Sequence, residues 1–154
     1  MQLTATEDID APLDRVFAEV TNFEAIERQA LRRGVDVRRT DSLAGPCAGM
    51  TWRAEFGFRG KPREVAICLA GYQPPEQVVF DNVSGGLEAR FVMDFVALSR
   101  TRTRLNVSTE LKPTTLSARL LVQSLKLAKG GIDKRFRQRM AGLAKDLENR
   151  LRSS

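Results

Sequence analysis

The feature that most constrains this chain is a run of short alternating segments across residues 35–111, with turn signals between them and no helical stretch. In residues 50–58, for example, Trp52 and Phe56 fall on one side of a strand and Arg53 and Glu55 on the other. Parallel neighbours would require crossover connections of a dozen or more residues, usually helices. The segments therefore predict an antiparallel meander with one apolar and one polar face.

Seven strands are predicted when an N-terminal segment is included. They cover residues 3–9, 35–42, 50–58, 63–72, 77–83, 87–98 and 104–111. The polar face suits contact with water, so the apolar face needs a cover.

The C-terminal third supplies that cover. Its apolar positions recur at just under four residues, as Leu121, Leu125, Ala128, Ile132, Phe136, Met140, Leu143, Leu147 and Leu151. This spacing predicts a helix over residues 116–152. A straight helix of that length would extend about 55 Å, more than a domain of this size. We expect two helical pieces that meet at Gly130 and Gly131, because glycine weakens a helix interior.

The N-terminal segment IDAPLDRVFAEVTN changes abruptly from strand to helix, with Pro12 suited to the first helical position. A second short helix is predicted at residues 23–30. The pattern I-x-A-P-x-x-x-V-F-x-x-V, followed by the meander and the terminal helix, resembles the START-like (SRPBCC) superfamily and its polyketide cyclase/dehydrase-like branch. Its residues here are Ile9, Ala11, Pro12, Val16, Phe17 and Val20.

This resemblance implies an α+β helix-grip fold, in which a seven-stranded curved antiparallel sheet with two short helices and a long C-terminal helix encloses a cavity. Residues 1–154 would form a single ligand-binding domain. Strand parity assigns nine residues to the concave face: Trp52, Phe56, Phe58, Ile67, Leu69, Phe80, Phe91, Met93 and Phe95. Such side chains suit a packed core or an apolar pocket wall, and the resemblance favours the wall.

The chain has no histidine, which removes Ser–His and Cys–His nucleophilic systems and the commonest metal ligand. Neither Cys47 nor Cys68 belongs to a C-x-x-C pair, and no Gly-rich phosphate loop is present. We therefore predict no catalytic residue, no metal and no cofactor. The acidic first residues contain no apolar block, and with two reduced thiols they indicate a cytoplasmic protein.

Charge is unevenly distributed. Residues 1–98 carry 11 Lys and Arg against 15 Asp and Glu, whereas residues 99–154 carry 14 against 4. Four residues near the glycine pair are candidates for contact with an anionic surface: Lys126, Lys129, Lys134 and Arg135. The basic segment resembles an interfacial helix. Alternatively, it packs on the sheet and exposes its cations to water.

These observations predict binding, and by extension transport, of a hydrophobic small molecule or lipid in an internal cavity, without covalent chemistry. Two alternatives stay open. One is a cyclase- or dehydratase-type enzyme acting on a polyketide-like substrate, which the missing histidine disfavours without excluding. The other is a protein whose basic helix binds an anionic membrane or nucleic acid; without a docking motif or stacking aromatics, nucleic acid is the less favoured of these partners. The sequence leaves the oligomeric state open.

Overall fold

A computed structural model describes residues 1–58 and 60–153, with Phe58 described through its backbone alone. The elements follow in the order β1 (Gln2–Ile9), α1 (Leu13–Val20), α2 (Phe23–Arg32), β2 (Asp36–Arg39), β3 (Thr51–Phe58), β4 (Lys61–Gln73), β5 (Gln77–Ser84), β6 (Leu87–Ser99), β7 (Arg102–Pro113), α3 (Leu116–Leu127) and α4 (Lys129–Arg152).

The sheet is a single antiparallel layer of seven strands in the order β1-β7-β6-β5-β4-β3-β2. Its first strand pairs with its last, from Gln2 opposite Glu110 to Ile9 opposite Thr103. All other pairs join consecutive strands, so the predicted meander is confirmed. The curved sheet grips the C-terminal helices on one face, as the helix-grip expectation requires.

The second strand is shorter than predicted because Asp41 turns the chain away from the sheet. Its carboxylate accepts hydrogen bonds from the backbone N–H groups of Leu43 (2.9 Å) and Thr51 (2.8 Å) and from the guanidinium of Arg39. Such side-chain-to-backbone bonds compete with the sheet ladder.

The strand-to-helix junction is held by backbone and hydroxyl groups. Pro12 precedes the first helix at the N-cap position, with an extended ψ of 148°, rather than occupying its first turn. The Ala11 N–H donates to Ile9 O (2.9 Å), and the buried Thr103 hydroxyl donates to Ala11 O (2.8 Å). Asn22 then starts α2 by accepting from the Ala25 N–H.

The C-terminal helix breaks at Ala128, two residues before the predicted glycine pair. Ala128 has non-helical dihedrals (φ −106°, ψ 20°), and Gly130 and Gly131 lie in the first turn of α4. A first-turn glycine costs a helix less than an interior one, since the first N–H groups have no intrahelical partner. The break also changes the phase of the apolar stripe, so that Val122 is buried and Leu121 is exposed.

Candidate ligand-binding site

The concave face of the sheet is organised in rows of side chains that the strand register places side by side. Toward one end, Leu69, Val78, Met93, Phe95 and Leu105 are all buried. We call these five residues, together with the helices α1, α2 and α4 that pack over them, the closed end.

Two aromatic clusters fix the short helices on this face. Phe17 of α1 packs on Tyr72 (5.8 Å between ring centroids) and edge-on against Phe95 (5.1 Å). Such tilted and edge-to-face arrangements are the favourable ones for aromatic pairs.

The second cluster belongs to α2. Phe23 packs edge-on against Trp52 (5.2 Å) and Phe80 (6.1 Å). The indole N–H of Trp52 donates to Glu27 of the same helix (2.7 Å). The helix therefore covers Trp52 with both an apolar and a polar contact.

The same face is less covered toward the β5–β6 turn. Phe56, Ile67, Leu87, Phe91 and Leu111 point to the concave side there and are half-buried. We call these five residues the open end. Helix α3 borders it and packs against β7 through Ala118 and Val122.

The predicted cavity residues divide between these surroundings. The buried ones are Trp52, Leu69, Met93 and Phe95, and the half-buried ones are Phe56, Ile67, Phe80 and Phe91. The side chain of Phe58 lies outside the described part of the chain. None of the eight residues whose side chains are described lines the surface openings of about 510, 530 and 610 Å³. A role of these residues as a ligand wall thus stays a prediction.

One polar side chain of the open end was missed by the sequence reasoning. Asn82 is half-buried, lies between Ile67 and Ala89 in the register, and donates from Nδ2 to Ala89 O (3.1 Å). Its position two residues after Phe80 in a predicted strand is the signal that places it on the concave face. The amide still offers its Oδ1 lone pairs as acceptors.

Tyr72 reaches the concave face through a β-bulge. The register of β4 and β5 shifts between Leu69 and Gly71, so that Tyr72 pairs with Val78 and shares its face. Simple alternation assigns Tyr72 to the other face, and one extra residue reverses that assignment. Tyr72 lines the opening of about 530 Å³ beside α1, together with Asp14, Thr21 and Asn22.

Glu55, Glu64 and Asp94 lie on the convex side of the sheet. Glu55 and Glu64 are exposed, and Glu64 pairs with Arg53. Asp94 accepts from the Gln77 amide (2.7 Å). The guanidinium of Arg90 holds the pKa of Asp81 below its ordinary value through a two-pronged hydrogen bond. These contacts stabilise the sheet surface rather than forming a site.

Comparison with known proteins gives matches in structure alone. No protein-family model matches the chain, and neither does any curated protein. Norcoclaurine synthase from Thalictrum flavum is similar over 100% of this chain and 87% of its own (TM-score 0.70, 12% identity). The Zhui aromatase/cyclase from Streptomyces sp. R1128 is similar over 98% and 95% (TM-score 0.65, 10% identity). A START superfamily protein from Mycobacterium smegmatis is similar over 87% and 95% (TM-score 0.57, 14% identity).

The chain has a START-like, helix-grip fold. The resemblance drawn from the N-terminal pattern is confirmed at the level of fold. At these identities the START-like fold does not by itself specify a ligand or a reaction.

The four cations predicted to contact an anionic surface are all exposed. Lys129 forms an ion pair with Asp133 (2.8 Å), while Lys126 lies on α3, and Lys134 and Arg135 lie on α4. Within the described residues, no helix is both long and apolar enough to span a bilayer, and no group of three or more potential metal ligands occurs.

Proposed function

We propose that the chain is a single binding domain for an apolar small molecule or lipid, held at the open end of the concave face without covalent chemistry. One observation carries the proposal: five large apolar side chains of a concave sheet are left half-buried at this end, whereas those at the closed end are buried. Removal of such surface from water stabilises a complex by about 25 cal/mol per Å².

The amide of Asn82 favours an apolar ligand that also carries a polar group. Its amide lies among apolar neighbours, so a ligand with one hydroxyl or amide group would gain both burial and a hydrogen bond. We expect Asn82→Leu to weaken binding of a hydroxyl-bearing probe about tenfold and to leave a wholly apolar analogue unaffected.

The first experiment is native mass spectrometry of the purified protein, combined with uptake of the uncharged fluorescent probe N-phenyl-1-naphthylamine. Ala89→Trp fills the open end between Asn82 and Leu111, and should weaken probe binding more than tenfold. Val96→Trp places the same ring on the convex face of the same strand as a matched control. A bare 17.2 kDa ion without probe uptake would overturn the proposal, as would equal binding by both variants.

A second candidate function is enzymatic, and the position of Tyr72 favours it. A phenol on the concave face can donate a proton or hydrogen bond to a carbonyl of a polyketide-like substrate, and an aromatase/cyclase is among the similar structures. The test is dehydrative cyclisation of a linear poly-β-ketone, followed as loss of water by mass spectrometry. Conversion that Tyr72→Phe abolishes would support this candidate, and no conversion by the parent protein would exclude this reaction.

We also propose a cytoplasmic location, which the two free thiols support. Cell fractionation tests it, and recovery of the protein outside the cytoplasm would contradict it. Peripheral contact with an anionic membrane is a separate prediction, because it depends on α3 and α4 rather than on the concave face.

A further inference from the structure

Helix α3 exposes an apolar face that no described element covers. Leu116, Leu120 and Leu127 are 74%, 62% and 92% exposed, while Ala118 and Val122 on the opposite side are buried against the sheet. At 100° per residue the three leucines lie within about 40° of one another around the helix. Single exposed leucines are ordinary on protein surfaces, but a row of them along one helix indicates a binding surface.

Cations flank this leucine row. Arg119 and Lys126 lie together on one side of it, at a quarter turn from the leucines. Asp133 is the only acidic residue between positions 111 and 145, and it is paired with Lys129. Lys134 and Arg135 follow on the first turns of α4 and are exposed. The helical segment that carries the apolar row is therefore strongly positive.

We propose that α3 docks on the surface of an anionic lipid bilayer, with the leucine row at the boundary of headgroups and acyl chains and Arg119 and Lys126 on lipid phosphates. Leucines on one side of a helix and cations beside them are what an interfacial helix requires. A second copy of the chain would bring the same cations together and be repelled. Nucleic acid phosphates would leave the leucines in water.

The β5–β6 turn positions α3 relative to the open end, and therefore determines which part of the protein a docked bilayer would face. Thr114 donates from its N–H (2.7 Å) and from its hydroxyl (3.0 Å) to Gly86 O, which holds the start of α3 beside the open end. Docking would thus bring the open end near the lipid. That consequence for ligand entry depends on the proposed function, whereas docking itself does not.

The test is co-sedimentation with phosphatidylcholine vesicles prepared with and without phosphatidylserine. We expect binding to the phosphatidylserine vesicles alone, weakened by salt. The triple variant Leu116→Ser, Leu120→Ser, Leu127→Ser should reduce vesicle affinity more than tenfold with an unchanged circular dichroism spectrum, because its leucines are exposed. Leu31→Ser, at a 65% exposed leucine of α2, is the matched control and should bind like the parent.

Charge is tested separately. Arg119→Gln and Lys126→Gln should each reduce affinity about fivefold, whereas Arg100→Gln in the distant β6–β7 turn should have no effect. Ala89→Trp should bind vesicles normally even though it blocks the open end, which separates failure of docking from failure of ligand binding. Equal binding to both vesicle types, an unaffected triple variant, a leucine-dependent dimer, or retention on duplex DNA but not on vesicles would overturn the proposal.

Discussion

The two ends of the concave face are built from neighbouring strands of one sheet and from similar side chains, but they differ in what covers them. At the closed end, α1, α2 and the last turns of α4 cover the sheet, and Leu147 and Leu151 are buried there. Glu148 accepts from the Asp10 N–H (2.8 Å), and Arg15 donates to Leu151 O (2.8 Å).

At the open end, Ile67 and Phe91 pack against the edge of the core, and the start of α3 is attached at the β5–β6 turn. That helix turns small residues toward β7 and leucines toward solvent. The difference shows that helix placement, more than strand composition, decides which part of the face becomes core and which stays accessible.

The largest effect should come from truncating matched leucines at the two ends. Leu69→Ala leaves a cavity at a position that is fully buried, and should lower the free energy of unfolding by about 2–5 kcal/mol. Leu111→Ala at the half-buried open end should cost less than half as much. Urea unfolding monitored by Trp52 fluorescence measures both, and equal losses would remove the distinction between the ends.

The next effect concerns the connection of α3 to the sheet. A Cβ at Gly86 would lie 2.7 Å from Thr115 Cβ, so Gly86→Ala should cost about 1–3 kcal/mol and speed hydrogen exchange in α3. Gly142→Ala, where the added methyl meets open space within α4, should instead stabilise by about 0.5–1 kcal/mol. If Gly86→Ala leaves the exchange of α3 unchanged, the turn does not hold the helix.

Two threonines of β7, Thr103 and Thr109, should differ in how much their hydroxyl groups stabilise the fold. Thr103→Val removes the fully buried donor to Ala11 O at the closed end and should cost about 1 kcal/mol. Thr109→Val, on the same face at a half-buried position next to Phe91, should change stability by less. Thermal unfolding of both variants tests this, and a larger loss for Thr109→Val would contradict it.

The smallest effect on the free energy of unfolding is expected at low pH, where both Asp8 and Asp81 lose their pairing with arginine. Arg104 holds the pKa of Asp8 below its ordinary value of 3.8, and Arg90 does the same for Asp81. Because the folded-state pKa is lowered, this stabilisation is present above the ordinary pKa and is lost as pH falls through the lowered one.

The measurement is urea unfolding as a function of pH, in which Asp8→Asn and Asp81→Asn should each flatten the acid limb. Without histidine, stability should be nearly constant between about pH 5 and pH 8. A transition in that window would show that a different group controls the fold.

The sequence predicted the strands and their faces well, and it predicted the positions of the helices that cover the sheet less well. Phe91, Met93 and Phe95 alternate as expected and share the concave face, because strand parity is a local property. Their burial differs, since it depends on helices far away in the chain. The bulge before Tyr72 and the break at Ala128 each shift the alternation of buried and exposed positions by one or two residues. A periodic pattern in the sequence does not reveal such a shift. The exposed leucines of α3 were hidden for the same reason: a stripe extrapolated across the break assigns Leu121 to the core.

The pairing of β1 with β7 has a kinetic consequence. Gln2 lies opposite Glu110, so β1 cannot form its hydrogen-bond ladder until β7 has been synthesised. Contacts of such long sequence separation slow folding, because loop closure precedes any gain from pairing. Residues 51–113 can meander together as they emerge, whereas the junction at Pro12 and the helix pair gain their support at Thr103 only later. We expect refolding to show early formation of β3 to β7 and late protection of β1.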